Sequence, residues 1–207
     1  MVEGAGLRIG IDLDNTLVCY ERLFIDLARE RGLVPHDVVL SRIDLRNRLR
    51  AEGREHVWTE LQGEAYGPRM QDATPFDGAL ELVVRCKSIG AAMFIVSHRT
   101  RQPYAGAAHD LHDAARRWLE RHGFLGDAGL PRENVLFEPT FRDKLAAIAA
   151  LDCTHFVDDL PEMFEGVPFP ESTVPILFDP TGTWANATVA RAGSWNEVGA
   201  LIFGKGG

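Results

Sequence analysis

The sequence predicts an α/β protein with a doubly wound parallel sheet of about five strands and a small all-helical insertion after the first strand. Two observations predict this fold. Short apolar runs alternate with segments of helical periodicity through most of the chain, which is typical of strands buried on both faces of a parallel sheet. Residues 18–74 interrupt the alternation, because they show helical patterns and no good strand.

The predicted strands are short and apolar. They lie at residues 7–13, 91–96, 134–137, 155–157 and 174–178. Three segments between them place apolar side chains three or four residues apart, which predicts amphipathic helices. These helices lie at residues 78–88, 110–122 and 142–151. Because strands and helices alternate, we expect a Rossmann-like sheet that binds its ligand at the carboxyl ends of the strands.

The interrupting segment contains two or three helices by the spacing of its apolar residues. Phe24, Leu45 and Trp58 each belong to a separate stretch with helical spacing, and glycines separate the stretches. Both ends of the segment adjoin predicted sheet elements, so it is an insertion. We therefore divide the chain into an α/β core of residues 1–17 and 75–207 and a helical cap of residues 18–74.

Composition and charge exclude several classes of protein. The 207 residues are 45% hydrophobic and 25% charged, an ordinary globular balance that excludes disordered and fibrous chains. The net charge of -8 argues against a nucleic-acid polymer or an anionic membrane as partner. Three scattered cysteines and no recognisable signal peptide predict a cytoplasmic protein in a reducing compartment. The oligomeric state is left open.

Polar side chains follow the predicted strands where each strand ends. They are Asp12, Asp14 and Thr16 after the first strand, Ser97 and His98 after the second, Lys144 at a helix start, and Asp158 and Asp159 after the fourth. Because the carboxyl ends of parallel strands meet at one edge, we expect these side chains to lie close together. Neighbouring carboxylates repel unless a cation lies between them, and carboxylate oxygens are typical Mg²⁺ ligands.

Each motif taken alone also has a structural explanation. Aspartate and threonine serve equally well in turns and at helix N-termini. Lys144 in a first helical turn opposes the helix dipole, which favours an anionic partner, although surface lysines are common. The order of the motifs along the chain makes the combination specific.

In that order the motifs resemble those of the haloacid-dehalogenase-like (HAD) hydrolase superfamily. Its first motif, Asp-x-Asp-x-Thr, resembles Asp12 to Thr16 within GIDLDNTL. The other three motifs are matched by Ser97 in FIVSH, Lys144 in FRDKL and Asp158-Asp159 in FVDDL. The insertion is similar to the helical cap that the superfamily places after its first strand.

The resemblance implies a role for each matched residue. Asp12 would be the nucleophile that forms an aspartyl-phosphate, and Asp14 would be the general acid and base. Mg²⁺ would be held by Asp12, the main-chain carbonyl of Asp14, Asp158 and Asp159. The phosphate would be bound by Ser97, Lys144, Thr16 and His98. Because Asp14 is present, the resemblance implies a phosphatase rather than a dehalogenase.

Three arginines are candidate contacts to the rest of the substrate. Arg99 and Arg101 lie in the polar loop after Ser97, and Arg46 lies in the insertion. A solvated loop explains Arg99 and Arg101 equally well, and the wet face of an amphipathic helix is the simpler explanation for Arg46. The interpretation is a Mg²⁺-dependent phosphomonoesterase acting on a small phosphate ester, either a nucleotide or a sugar phosphate.

The alternative is a non-catalytic phosphate-ester-binding or phosphoacceptor protein on the same fold. A response-regulator receiver has a similar set of residues, but there the lysine comes last in the chain. Here Lys144 precedes the acidic pair at Asp158, so the order counts against a receiver. The aromatic segment at residues 182–205, which contains Trp184 and Trp195, is explained by packing and by an interface equally well.

Overall fold

The computed structural model describes residues 6–165 and 168–204. Its strands are β1 (Arg8–Ile11), β2 (Val18–Cys19), β3 (Thr74–Pro75), β4 (Ala92–His98), β5 (Val135–Glu138), β6 (His155–Asp158), β7 (Val174–Phe178) and β8 (Ala190–Ala192). Its helices are α1 (Glu21–Glu30), α2 (Arg42–Ala51), α3 (Glu55–Tyr66), α4 (Ala79–Ser88), α5 (Leu111–Arg121), α6 (Phe141–Ala150) and α7 (Trp195–Phe203). None of the helices in the described ranges is long and apolar enough to cross a bilayer.

The chain divides into two compact units. The first contains Met1–Leu17, Pro75–Arg99 and Glu120–Gly207, and the second contains Val18–Thr74 and Thr100–Leu119. The second unit therefore includes residues 100–119, which the sequence analysis placed in the core domain. The chain passes from the first unit to the second directly after Leu17 and directly after Arg99.

The first unit is built on a six-stranded sheet in the order β5-β4-β1-β6-β7-β8. Each pair of neighbouring strands in this sheet is parallel, which confirms the predicted α/β class. β1 is central and pairs Ile11 with Ile95 on one side and with Val157 on the other. Gly10 is required there, because a Cβ at this position would lie 2.5 Å from the Phe156 ring.

The sheet is stabilised by an apolar layer that α6 covers. Phe94 and Val96 of β4, Ile148 of α6 and Phe156 of β6 are all buried in one cluster. Burying a side chain of this size contributes about 1.5–3 kcal/mol. The cluster fixes α6 against β4 and β5, with which the helix is in contact. The start of α6 is thereby held at the carboxyl end of the sheet.

The second unit has a helical core of its own. Helices α1, α2 and α3 contact one another pairwise. Phe24 of α1 stacks on Trp58 of α3 with ring centroids 4.7 Å apart. Residues 100–119 pack closely against α3. At Gly63 there is no room for a side chain, because a Cβ there would lie 2.6 Å from the carbonyl oxygen of Ala105. The indole of Trp118 also donates to the carbonyl of Ala73 at 2.8 Å.

The structure differs from the sequence-based expectation in three elements. The sheet has six strands, because β8 adds a short edge strand whose Ala190 and Arg191 are exposed. The insertion is not entirely helical, since β2 and β3 form a separate two-stranded sheet. Part of the aromatic segment at residues 182–205 forms helix α7. Residue 205 lies outside the described residues. Two- and three-residue strands carry no periodicity that a sequence pattern reveals.

Candidate active site

The loop after β1 carries the first two predicted site residues. The backbone N–H of Asp12 donates to the carbonyl of Val157 at 2.9 Å, which continues the sheet by one residue. Asn15 then adopts a left-handed conformation with φ of 58°, which asparagine tolerates better than most residues. The turn closes with a bond from the Leu17 N–H to the Leu13 carbonyl at 3.0 Å. Asp12 and Asp14 therefore lie on a defined turn at the sheet's carboxyl edge.

Lys144 links two of the carboxylates at this edge. Thr140 caps α6 by accepting from the N–H of Asp143 at 3.1 Å, which places Lys144 in the first turn. Its Nζ donates to Asp12 Oδ1 and to Asp158 Oδ2, at 2.6 Å in each case. All three side chains are buried. Burial alone would lower the pKa of Lys144, but the two carboxylates raise it above its usual value, so the ammonium is charged.

The environment of Asp12 disfavours its charged form. Burial raises the pKa of Asp12 to about 7, reinforced by the carboxylates of Asp158 and Asp14 and opposed by Lys144. The main cause is desolvation, and the charges of Asp158 and Asp14 add repulsion to it. A cation bound here would relieve the remaining repulsion.

Three carboxylates form a group with the spacing of a metal site. Oxygen atoms of Asp12, Asp158 and Asp159 lie within 4.8 Å of one another. Asp158 is oriented by the Leu160 N–H, which donates to its Oδ1 at 3.0 Å. Carboxylate oxygens are the ligands that Mg²⁺ prefers, with water or phosphate completing the coordination. The donor set therefore fits the predicted Mg²⁺ ion, although the side chain of Asp14 is not in this group.

Asp14 is instead paired with an arginine from the end of β4. Nη1 of Arg99 lies 2.7 Å from both carboxylate oxygens of Asp14. The Arg99 side chain is 2% exposed and that of Asp14 is 17% exposed. Arg99 was a predicted substrate contact, and in the structure it pairs with the predicted acid–base residue. Its contact with substrate stays a prediction.

The remaining phosphate-binding candidates lie around the same edge. Ser97 is buried at the end of β4, beside Phe137 of β5. Among the described residues, the buried hydroxyl of Thr16 has no hydrogen-bond partner, which is compatible with a ligand contact. The ring Nε2 of His98 lies 3.1 Å from the carbonyl oxygen of Pro139. That contact orients the ring toward the start of α6, so a phosphate contact by His98 stays a prediction.

Two predicted substrate residues belong to the second unit. Arg101 is paired with Asp110 at 2.9 Å and its side chain is 66% exposed. The guanidinium of Arg46 lies 6.0 Å from the centre of the Trp58 ring. Its Nε is buried without a hydrogen-bond partner among the described residues. Contact of either residue with substrate stays a prediction.

One residue that supports the site was not predicted. The indole N–H of Trp195, at the start of α7, donates to the carbonyl of Thr16 at 3.2 Å. Trp195 is buried and lies 179 positions from Thr16. Its position before an apolar helical pattern was visible in the sequence, but no spacing rule connects it to the loop after β1.

Comparisons with known proteins identify the fold. No protein-family model and no curated protein matches the sequence, but many solved structures do. A phosphoserine phosphohydrolase-like protein from Francisella tularensis is 17% identical, with a TM-score of 0.53 over 95% of this chain and 99% of the other. A HAD family hydrolase from Deinococcus radiodurans, which holds bound phosphate and sodium, is 16% identical, with a TM-score of 0.53 over 94% of both chains.

A dehalogenase has the same architecture. It is 16% identical to this chain, with a TM-score of 0.53 over 95% of this chain and 97% of the other. Each match extends over nearly the whole length of both proteins. The chain therefore has the fold of the HAD-superfamily hydrolases, with the helical insertion after the first strand. At these identities the likeness shows the fold, and the chemistry depends on the site residues.

Proposed function

We propose that this protein is a Mg²⁺-dependent phosphomonoesterase that works through an aspartyl-phosphate intermediate. The observation that carries the proposal is the convergence of one lysine and three carboxylates at the edge of the sheet. Lys144 Nζ lies 2.6 Å from Asp12 and from Asp158, and Asp159 completes the acidic group. The HAD hydrolase fold supports the same proposed function.

Asp12 and Asp14 perform the covalent chemistry in this proposal. One oxygen of Asp12 attacks phosphorus, the bond from phosphorus to the leaving oxygen breaks, and Asp14 gives that oxygen a proton. Water then attacks the phosphorus of the aspartyl-phosphate and gives a proton to Asp14. The bond from phosphorus to Asp12 breaks, which releases phosphate and restores the carboxylate.

The neighbouring residues bind and stabilise the phosphoryl group. Lys144 places a fixed positive charge beside Asp12, where negative charge gathers as the phosphate approaches. Ser97 and Thr16 supply hydroxyl donors. Mg²⁺, held by Asp12, Asp158 and Asp159, would neutralise charge on the phosphoryl oxygens when bound.

The proposed substrate is a small metabolite, either a nucleotide or a sugar phosphate. Two neighbours of the same fold agree with phosphate chemistry, since one is phosphoserine phosphohydrolase-like and the other holds bound phosphate. A net charge of -8 disfavours a nucleic-acid polymer or an anionic membrane as partner. The cytoplasm, where Mg²⁺ and phosphorylated metabolites occur together, is the proposed location.

A phosphoacceptor role is the second candidate, because Asp12 would carry the same phosphoryl group in both functions. Both carboxylate oxygens of Asp14 accept from Arg99. If that contact keeps Asp14 from exchanging protons, the phosphoryl group on Asp12 persists instead of being hydrolysed. The two functions therefore differ in the lifetime of the same intermediate.

The test is phosphate release from a panel of nucleotides, sugar phosphates and one aryl phosphate, with Mg²⁺ and with a chelator. We expect release that needs Mg²⁺ and is lost in Asp12→Asn. Asp127→Asn, a substitution in an exposed loop, is the matched control and should behave as wild type. Stable phosphorylation without release supports the phosphoacceptor role, and release by Asp12→Asn contradicts both.

A further inference from the structure

Arg99 makes an unusual contact at the edge of the candidate site. Nη1 of Arg99 lies 2.7 Å from each carboxylate oxygen of Asp14. The two residues are 85 positions apart in the chain. One follows β1 and the other follows β4, which is the neighbouring strand of the sheet. The pair therefore joins the ends of two adjacent strands.

The geometry of the contact restrains the orientation of Asp14. A nitrogen equidistant from both oxygens opposes rotation of the carboxylate, because rotation lengthens at least one of the two bonds. Arg99 itself is fixed, since its side chain is 2% exposed and its N–H donates to the carbonyl of Glu138 at 2.9 Å. A charged hydrogen bond of this length is among the stronger kinds in proteins.

We infer that Arg99 is a positioning residue, which orients the Asp14 carboxyl for proton transfer to the leaving oxygen. This inference rests on the proposed phosphatase function. When one oxygen of Asp14 carries the proton, the other still accepts from Nη1, so the carboxyl keeps its direction. The proton then passes to the leaving oxygen as the bond from phosphorus breaks, and the alcohol departs neutral.

The effect of losing Arg99 on the rate of hydrolysis should depend on the leaving group. A nitrophenolate departs readily without a proton, whereas an alkoxide is strongly basic and depends on the general acid. General acid catalysis contributes about 10²–10⁴-fold, and that factor is lost when the acid is misdirected. Loss of Arg99 should therefore slow the hydrolysis of alkyl phosphates much more than that of nitrophenyl phosphates. A merely structural role for Arg99 would slow both classes equally.

The experiment measures kcat/KM with Mg²⁺ for a series of aryl and alkyl phosphates. kcat/KM is the right quantity, because it includes departure of the leaving group whichever later step limits kcat. The variants are Arg99→Gln, Arg99→Lys and Asp14→Asn. Arg191→Gln is the matched control, since Arg191 also pairs with a buried aspartate, Asp179, at 3.1 Å. Thermal unfolding of each variant reports whether it is folded.

We expect Arg99→Gln to lower kcat/KM for alkyl phosphates at least about tenfold more than for nitrophenyl phosphates, within the range of general acid catalysis. Asp14→Asn should show the same selectivity, and Arg191→Gln should show the wild-type ratio. Arg99→Lys keeps one donor and the charge, so it should recover part of the alkyl activity. It also provides the readout if Arg99→Gln does not fold.

Two results would overturn the inference in distinguishable ways. An equal loss over the whole series, in folded Arg99 variants, excludes the positioning role and leaves the phosphatase function standing. A wild-type protein that hydrolyses no member of the series overturns the proposed function, and the inference falls with it.

Discussion

Lys144 Nζ lies 2.6 Å from Asp12 Oδ1, although the two residues are 132 positions apart. The contact joins the first turn of α6 to the end of β1, inside a buried environment. The same ammonium is 2.6 Å from Asp158 Oδ2. Lys144 therefore holds together two strand ends that would otherwise repel, in addition to its proposed role toward phosphate.

Replacing Lys144 by methionine should destabilise the protein as well as inactivate it. The change leaves two buried carboxylates without their cation, and breaking a buried pair in this way costs about 3–5 kcal/mol. Urea unfolding in the presence of a chelator measures the loss. Lys87→Met is the control, because the ammonium of Lys87 lies at the surface and contacts backbone carbonyls. An unfolding free energy equal to that of wild type would show that the ion pairs do not stabilise the fold.

Mg²⁺ should raise the melting temperature through the acidic group. A ligand that binds the folded state alone stabilises it by about 2.7 kcal/mol at one hundred times its dissociation constant. Asp158→Asn removes one ligand of the group and should abolish most of the shift. Thermal unfolding with Mg²⁺ and with chelator measures the effect. A shift in Asp158→Asn as large as that of wild type would place the metal elsewhere.

The bond from Trp195 to the Thr16 carbonyl should matter for both stability and turnover. Trp195→Phe keeps most of the packing and leaves the buried carbonyl without this donor, which costs about 1–3 kcal/mol. Because the bonded loop carries Asp12 and Asp14, we expect kcat to fall more than KM rises. Trp184→Phe is the control, since Trp184 is 39% exposed. Unchanged kcat in Trp195→Phe would mean that the loop is held without this bond.

Two buried cysteines predict a loss of stability in alkali. Burial raises the pKa of Cys86 and of Cys153 from 9.0 to about 11. Between these values the unfolded chain releases the thiol protons and the folded protein keeps them, so the free energy of unfolding falls as pH rises above 9. Urea unfolding from pH 8 to 10 measures the slope. Cys86→Ala should make the fall of the unfolding free energy with pH shallower. An unaltered slope would show that the thiol of Cys86 does not cause the fall.

Most of the sheet could be predicted from the sequence, because its strands are short apolar runs with clear ends. Each of the five predicted runs contains or overlaps a strand of the structure. β8 could not be predicted, because a three-residue edge strand with Arg191 in its centre has no apolar run. The two-residue strands β2 and β3 escape prediction for the same reason. They make the insertion slightly less helical than expected.

The candidate site could be predicted only as a set of residues at one edge. Parallel strands bring their carboxyl ends together, so Asp12, Lys144 and Asp158 were expected to meet, and the structure places them in contact. The pairing of Arg99 with Asp14 was not predictable. Arginine side chains reach in many directions, and no spacing in the sequence distinguishes a contact to a carboxylate from one to substrate.

The most direct test of the account is to map the covalent intermediate. The protein is incubated with a nitrophenyl phosphate and Mg²⁺, quenched in acid during turnover, digested and analysed by mass spectrometry. We expect a phosphoryl group on the peptide that contains Asp12, and no such group in Asp12→Asn. Turnover of the ester with no phosphoryl group on that peptide, together with activity in Asp12→Asn, would contradict the assignment of Asp12 as nucleophile.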